Sequence, residues 1–332
     1  MRKISLYIII GAALASLASC SRSEADLRDR TISYSPAAAK TTKAIIDGTT
    51  FPADSSFVVS AVHTEGTYFQ NLVASRDNST GYWITSVEQY WPLSGQLDFY
   101  AYAPSGVASL SGATISFNEE DGIVAEGYTC DGTTDFLYAG YTVADCSGSQ
   151  PAVPLTFSHA LSQVVIKVKQ SADYTAEINN KSNIVTIKVD SLSLENMYVE
   201  ADFVQLPNPS WSTTQESDID GLEFNLGSGL SLTYGAADVQ VGRLLTIPQT
   251  LGSVKIHTVY TITQTITDNS TSVTEVKTFT NPVDITLSQY MSAWECGKKY
   301  VYVVSYGLDP VEVSATTVDW VPSGGEIIVE EE

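Results

Sequence analysis

The sequence predicts an all-β protein of two β-sandwiches in tandem. Charged residues make up only 17% of the chain, while Thr, Ser, Val and Tyr are plentiful, and β-branched and aromatic side chains fit a pleated surface. Apolar and polar residues alternate in short runs between turn-forming residues. No stretch of useful length has the period of an amphipathic helix. With 332 residues, the chain is long enough for about two domains.

The charge balance excludes some classes of partner. Lys and Arg number 17 against 38 Asp and Glu, which gives a formal net charge of −21. A surface this acidic repels phosphate backbones, so we predict no nucleic-acid partner. It also argues against a basic patch that grips anionic lipid.

Residues 1–20 are predicted to be an export signal. Arg2 and Lys3 precede an apolar run at residues 4–14, which is the pattern of a secretory signal. The segment ends in Leu17-Ala18-Ser19-Cys20 and resembles a bacterial lipobox, in which cleavage precedes the cysteine and its thiol is lipidated. The alternative is an ordinary signal with a chance cysteine at position 20. No other stretch approaches the ~20 apolar residues of a transmembrane helix, so a lipid on Cys20 would be the only anchor.

Residues 21–43 are predicted to be a tether, because they hold five of the 17 basic residues. Within the tether, Ile32-Ser33-Tyr34 has the alternation of a short strand. The first sandwich is predicted at residues 44–150 and the second at 151–332, with a boundary at the Gly148-Ser149-Gln150-Pro151 turn.

Two segments are predicted as core strands. Residues 97–103 alternate and end at Pro104, which places Leu97 and Phe99 on one face. Residues 155–169 are predicted as one long strand whose apolar positions pack against the opposite sheet. Those positions are Phe157, Leu161, Val164, Ile166 and Val168.

The cysteines leave two interpretations open. If Cys20 is lipidated, Cys130, Cys146 and Cys296 remain. Cys130 and Cys146 would close a loop that the chain-entropy model values at ~3 kcal/mol in an oxidising compartment. Free buried thiols are the alternative. No C-x-x-C occurs, so a zinc or thioredoxin-type site has no support.

Signals of catalysis are weak, and we predict that the chain is not an enzyme and has no cofactor or metal. The three histidines are far apart in sequence, and none lies in an H-E-x-x-H motif. His159 lies on an apolar strand and is predicted to be a hydrogen-bonded core residue. No G-x-S-x-G elbow, phosphate loop or dinucleotide fingerprint is present.

Several motifs follow one another along nearly the whole chain. They are Cys20, Ile32 to Tyr34, Thr42-Lys43-Ala44, Trp91-Pro92, Leu97 to Pro104, Thr134 to Ala139, Leu155 to Ser162, Ile247-Pro248-Gln249, Trp294 to Tyr300 and Val318-Asp319-Trp320. In this order, they resemble the fimbrillin family, the lipoprotein pilins of Bacteroidales that build type V pili. Two departures are Lys43, where the family usually has Arg, and Cys296, where it usually has Pro or a similar residue.

The resemblance implies transthyretin-like sandwiches, an outer-membrane lipoprotein precursor and a trypsin-like maturation protease. That protease would cut between Lys43 and Ala44, with Arg30 as second choice, and release the strand of Ile32 and Tyr34 from a groove. A strand of the next subunit would fill the groove, giving an extracellular fimbria of this chain and other pilins that adheres to host or bacterial surfaces. The candidate donor residues in the C-terminal tail are Val311, Val313, Ile327, Ile328 and Val329.

Two alternatives remain open from the sequence. The tail is either a donor or simply the last strand of the second sandwich. The chain is either a pilus subunit or a surface lipoprotein that does not polymerise and binds a glycan or protein through exposed aromatics such as Trp211. The basic tether and the apolar tail favour the pilus subunit, because a plain binding module needs neither.

Overall fold

The fold is described by a computed structural model over residues 30–38, 51–213 and 219–320. Beside the strands, these ranges contain one short α-helix, α1 (Val107–Ser111), and one 3-10 turn (Leu287–Gln289). In these ranges, no helix has the length and apolar character needed to cross a membrane. The prediction of an all-β fold is confirmed.

The strands of the described residues are numbered in chain order. They are β1 (Ala37–Ala38), β2 (Phe57–His63), β3 (Gly66–Arg76), β4 (Trp83–Thr85), β5 (Leu97–Ala103), β6 (Thr114–Asn118), β7 (Gly122–Thr129), β8 (Leu137–Val143), β9 (Thr156–His159), β10 (Ser162–Gln170), β11 (Ala176–Ile178), β12 (Lys181–Tyr198), β13 (Glu200–Val204), β14 (Ser210–Ser212), β15 (Ile219–Glu223), β16 (Leu230–Leu232), β17 (Val239–Thr246), β18 (Lys255–Asp268), β19 (Thr274–Thr286), β20 (Lys298–Tyr306) and β21 (Glu312–Asp319).

The first sheet has seven strands in the order β1-β9-β8-β5-β2-β3-β4, and the second has four in the order β14-β13-β7-β6. Strand β2 is buried on both faces, with Phe57 and Val59 on one side and Val58 on the other. Two cores therefore flank the first sheet. The N-terminal core is the cluster that includes Phe57 and Phe99. The middle core is the cluster that includes Val58 and Phe203, and it lies between the first and second sheets.

The third and fourth sheets enclose a separate core. The third sheet has the order β17-β10-β20-β21, and the fourth has the order β11-β12-β18-β19, with β15 and β16 also paired to β12. Strand β10 pairs parallel with β20 and antiparallel with β17. The C-terminal core, which includes Ile166, Ile187 and Tyr302, fills the space between these two sheets.

Strand pairing does not divide at residue 150, the predicted boundary. Strand β9 joins the first sheet, and β13 and β14 join the second, although all three follow residue 150. Strand β9 pairs with β8 before the chain enters the third sheet, and the long strand β12 later runs on directly into β13, which pairs with β7. Two segments from the second half of the chain therefore complete the sheets of the first half.

The predicted single strand over residues 155–169 is wrong, because β9 and β10 belong to different sheets. Phe157 packs in the N-terminal core, Leu161 in the middle core and Ile166 in the C-terminal core. The orientation of Val164, Ile166 and Val168 toward one core is confirmed. One apolar run thus contributes to all three cores, and its apolar positions change from odd-numbered (Phe157, Leu161) to even-numbered (Val164, Ile166, Val168) across the break.

We expect the Ile166→Ala variant to lose about 2–5 kcal/mol in free energy of unfolding, because Ile166 is fully buried and truncation leaves a cavity. Lys169→Ala is the matched control on the same strand, since Lys169 is exposed, and its effect should stay within about 0.5 kcal/mol. Urea denaturation followed by tryptophan fluorescence measures both. A loss at Ile166 no larger than that at Lys169 would contradict the assigned burial.

Candidate functional site

Residues 30–38, here called the closing segment, join the two ends of the first sheet. On one side, Thr31 bridges Tyr90, and Tyr34 bridges Trp83, the first residue of the end strand β4. On the other side, Tyr34 also bridges Val153, and β1 pairs parallel with β9. The closing segment therefore fills a groove whose walls are residues 83–91 and residues 153–157.

Backbone hydrogen bonds of the closing segment alternate between the two walls. Seven such bonds have lengths of 2.7–3.0 Å. Residues 30, 32 and 34 bond to the first wall, and residues 33, 35 and 37 bond to the second, as expected for an extended strand. The bonds are Trp91 N to Arg30 O, Ile32 N to Gln89 O, Tyr34 N to Trp83 O, Trp83 N to Tyr34 O, Val153 N to Ser33 O, Ser35 N to Val153 O and Ala37 N to Leu155 O.

Every second side chain of the closing segment points into the N-terminal core. Ile32 and Tyr34 are 0% exposed, and Pro36 is also buried, whereas Ser35 is exposed. The groove therefore presents three side-chain subsites at positions 32, 34 and 36. When a strand adds to the edge of a sheet, the subsites for its alternate side chains determine which strand binds.

The middle subsite is aromatic. The ring of Tyr34 packs edge-to-face against Phe57, with centroids 5.6 Å apart, and against Phe99, with centroids 5.9 Å apart. Such pairs contribute roughly 0.5–1.5 kcal/mol each beyond area burial. Burial raises the pKa of the Tyr34 phenol well above its usual value. Its hydroxyl has no hydrogen-bond partner.

Arg30 anchors the start of the closing segment. Its Nη2 donates to the carbonyl of Trp91 at 3.2 Å and to that of Pro92, and its Nη1 donates to Gly148 O at 3.3 Å. A cut after Arg30, the second-choice site, would leave Ile32 and Tyr34 on the C-terminal product. Lys43 and Ala44, the first-choice cleavage site, and Cys20 lie outside the described residues.

The structure places Val311 and Val313 against the C-terminal core of their own chain. Val313 belongs to β21, which pairs antiparallel with β20 at the edge of the third sheet, and both valines are partly buried there. Within one chain, these two positions thus belong to the last strand of the third sheet, and their assignment as donor residues stays a prediction. The remaining donor candidates, Ile327, Ile328 and Val329, lie outside the described residues.

Trp320, the residue after β21, belongs to the middle core. Its indole stacks on the imidazole of His159, with ring centroids 3.6 Å apart and an interplanar angle of 7°. His159 Nδ1 lies 2.9 Å from Asp135 Oδ2, and both side chains are buried. The prediction that His159 is a hydrogen-bonded core residue is confirmed.

Trp211 is not the exposed platform that a binding module would need. It is partly buried in the middle core, where it packs against Phe136 and Phe203. Its Nε1 donates to the carbonyl of Ala160 at 2.7 Å. Over the described ranges, no group of three or more His, Cys, Asp or Glu side chains is placed to hold a metal ion.

Sequence reasoning identified Ile32 and Tyr34 but missed the walls of the groove and the role of Arg30. The first wall carries the alternation of Trp83-Ile84-Thr85, whose outer two residues are buried. The second wall carries buried Val153 and Leu155 in the same alternation. These patterns indicate strands, but no local signal shows that both pair with residues 30–38.

Most of the chain matches the model of a known protein family. A family model described as fimbrillin-like matches residues 42–320, which is most of the chain. The chain belongs to the fimbrillin-like family. Residues 30–38 precede the matched range, so the closing segment is known from the structure of this chain and not from the family match.

Solved structures similar to this fimbrillin-like chain share its fold at low sequence identity. A fimbrial protein from Bacteroides vulgatus has a TM-score of 0.62 and 16% identity, over 88% of this chain and 100% of its own. A candidate cell adhesion protein from Bacteroides uniformis has a TM-score of 0.52 and 14% identity, over 88% and 99%. One from Bacteroides ovatus has a TM-score of 0.52 and 16% identity, over 91% and 99%. No protein with a curated description matches.

The thiols of this fimbrillin-like chain are free in the described residues. Cys130 lies in the middle core and Cys146 in the N-terminal core, on opposite faces of the first sheet, so the disulfide considered between them is not formed. Burial raises the pKa of Cys130 to about 12 and that of Cys296 to about 11. Burial also raises the pKa of Cys146.

We expect these three thiols to react slowly with a thiolate-specific reagent at pH 8 in the folded protein. A raised pKa means that the reactive thiolate is scarce at that pH. In a Cys20→Ser chain, Ellman's reagent should find three thiols after unfolding in urea and far fewer within minutes in the native state. One thiol after unfolding would mean that Cys130 and Cys146 are bridged.

Proposed function

We propose that the chain is a structural subunit of a type V pilus that serves cell adhesion. It is exported as an outer-membrane lipoprotein through Cys20, cut by a trypsin-like protease, and polymerised with copies of itself and other pilins by donor-strand exchange. Host or bacterial surfaces are the ligands of the fimbria. Membership in the fimbrillin-like family and the fold shared with a fimbrial protein support this role.

The observation that carries the proposal is the closing segment itself. It is a single strand that bonds both ends of one sheet, and residues 39–50, which contain Lys40 and Lys43, connect it to the rest of the chain. A cut at Lys43 would leave the strand held by non-covalent contacts alone. The strand could then be lost or replaced without further change in the covalent chain.

An emptied groove would be an unstable surface. Both walls would lose their backbone partners, and unpaired buried N–H and C=O groups are costly. The apolar subsites filled by Ile32 and Tyr34 would also be open to water. Pairing with an extended strand of another subunit satisfies both needs, and such head-to-tail contacts do not close on themselves but grow a filament.

The tail after Trp320 is the donor that we assign. It contains Ile327, Ile328 and Val329 behind a Gly324-Gly325 pair. Ile327 and Val329 alternate, which matches the spacing of neighbouring subsites in the groove. Val311 and Val313 are less suitable as donors while β21 stays paired with β20, because their release would break eight register pairs of the third sheet.

The alternative of a non-polymerising glycan- or protein-binding lipoprotein has weaker support. Trp211, its suggested contact residue, uses its ring and Nε1 within the middle core. A binding module also gains nothing from a replaceable strand.

We expect trypsin-treated full-length protein to form high-mass ladders on unheated gels and filaments by electron microscopy. A variant that lacks Gly324 to Glu332 should remain a folded monomer, because it has a groove but no donor. A Lys40→Gln, Lys43→Gln double variant is the control for the cut and should form ladders more slowly. If the tail-deleted protein alone forms ladders as well as the full-length chain, the tail is not the donor.

We also expect assembly to accelerate with salt. A cut after Lys43 leaves 10 basic and 35 acidic residues, a net charge of −25, so subunits repel. Raising ionic strength from 0.01 M to 0.15 M shortens the screening length from ~30 Å to ~8 Å. Ladder formation over time at the two ionic strengths tests this, and slower assembly at the higher one would show that opposite charges drive the contact.

A further inference from the structure

The hydroxyl of Tyr34 is unusual among the polar groups of the described residues. Three buried side-chain atoms there have no hydrogen-bond partner: Tyr34 Oη, Asp135 Oδ1 and Thr246 Oγ1. The carboxylate of Asp135 is bonded through its other oxygen to His159. Tyr34 alone among the three lies in the groove, at its middle subsite.

Other fully buried tyrosines of the chain do find partners. The hydroxyl of Tyr306 lies 2.9 Å from Thr258 Oγ1, and that of Tyr302 accepts from Trp294 Nε1 at 3.0 Å. The hydroxyl of Tyr128 donates to Thr134 O at 3.3 Å. The fold therefore places acceptors or donors beside its buried phenols elsewhere, and the middle subsite is the exception.

The surroundings of Tyr34 explain why its hydroxyl has no partner. The ring is enclosed edge-to-face by Phe57 and Phe99, in a cluster of hydrophobic side chains. A buried hydroxyl that has lost its bonds to water without gaining others destabilises the state in which it is buried. Phenylalanine or an aliphatic side chain in the same subsite would carry no such penalty.

We propose that Tyr34 makes the resident strand a weak occupant of its own groove, and that the middle subsite selects a side chain without a polar atom in the strand that replaces it. This proposal rests on the strand exchange described under the proposed function. The occupant it specifies is an extended strand of a second copy, with apolar side chains at alternate positions and an aliphatic residue or Phe at the middle one.

Backbone pairing alone cannot supply this preference. The seven bonds to the walls are main-chain bonds, and any extended strand of the same direction makes them equally well. The difference between resident and incoming strand must therefore come from the subsites. Position 34 offers the largest difference, since it holds the one side chain of the closing segment whose buried polar atom is unbonded.

The test is local opening of the closing segment in the uncut full-length chain. Hydrogen–deuterium exchange followed by mass spectrometry reports on the amides of residues 32, 34, 35 and 37, which bond to the walls. We expect Tyr34→Phe to slow their exchange about tenfold or more, because the hydroxyl penalty is absent from the closed state.

Tyr306→Phe is the matched control. Its hydroxyl is bonded to Thr258, so its removal should speed exchange in β18 and β20 and leave residues 30–38 unchanged. Exchange at residues 30–38 that is unchanged or faster in Tyr34→Phe overturns the proposal, whether or not the chain polymerises. If the Tyr34→Phe variant exchanges more slowly at residues 30–38 but the chain never forms ladders, the selectivity of the subsite is supported. Only the pilus role is then contradicted.

A competition experiment tests selectivity directly. Labelled peptides of residues 30–38 are added to trypsin-cut full-length protein, and capture is followed by native mass spectrometry. The Tyr34→Phe peptide should displace the resident strand about tenfold better than the unchanged peptide. A Ser35→Ala peptide should match the unchanged one, since Ser35 is exposed. Equal capture of the Tyr34→Phe and unchanged peptides overturns the proposal.

Discussion

The need to pair the backbone at both ends of the first sheet governs this structure. A sheet ends in unpaired N–H and C=O groups, which must be bonded, covered or exposed to water. Here one short strand, residues 30–38, meets both ends at once and inserts Ile32 and Tyr34 into the core between them. The N-terminal core thus includes side chains of a segment that residues 39–50 connect to the rest of the first sheet.

The other two cores are built without the closing segment. The middle core joins the first and second sheets through Phe136, Phe203 and their neighbours on the face of the first sheet away from the closing segment. The C-terminal core is built from separate sheets. Among the described residues, two of the three cores therefore include no side chain of the closing segment, so the strand exchange proposed above would change mainly one layer of the molecule.

The sequence predicted what depends on local pattern. Alternation at Ile32 and Tyr34, and at Val164, Ile166 and Val168, correctly marked buried faces, because in a strand the side chains alternate between faces. The single-strand prediction over residues 155–169 overlooked a signal that the sequence does carry. The apolar positions change from odd-numbered (Phe157, Leu161) to even-numbered (Val164, Ile166, Val168) where β9 ends and β10 begins. Local pattern could not show which strands flank Tyr34, because Trp83 and Val153 reach it only through long-range pairing.

Local sequence pattern also does not reveal the partners of single atoms, or the strands that join a sheet from the other half of the chain. Nothing in the sequence distinguishes the unbonded hydroxyl of Tyr34 from the bonded one of Tyr306, because each depends on neighbours distant along the chain. The turn at Gly148 to Pro151 resembles a boundary, yet β13 and β14 return to the second sheet. Assignments made from turns alone miss such returns.

The position of Trp320 has a mechanical consequence. Its indole is seated in the middle core against His159, whereas the strand just before it, β21, belongs to the third sheet. Tension applied to the tail meets this indole before it reaches β21. In a filament held through its tails, the load would pass first into the most central of the three cores, and the edge strand β21 would be shielded from being peeled away.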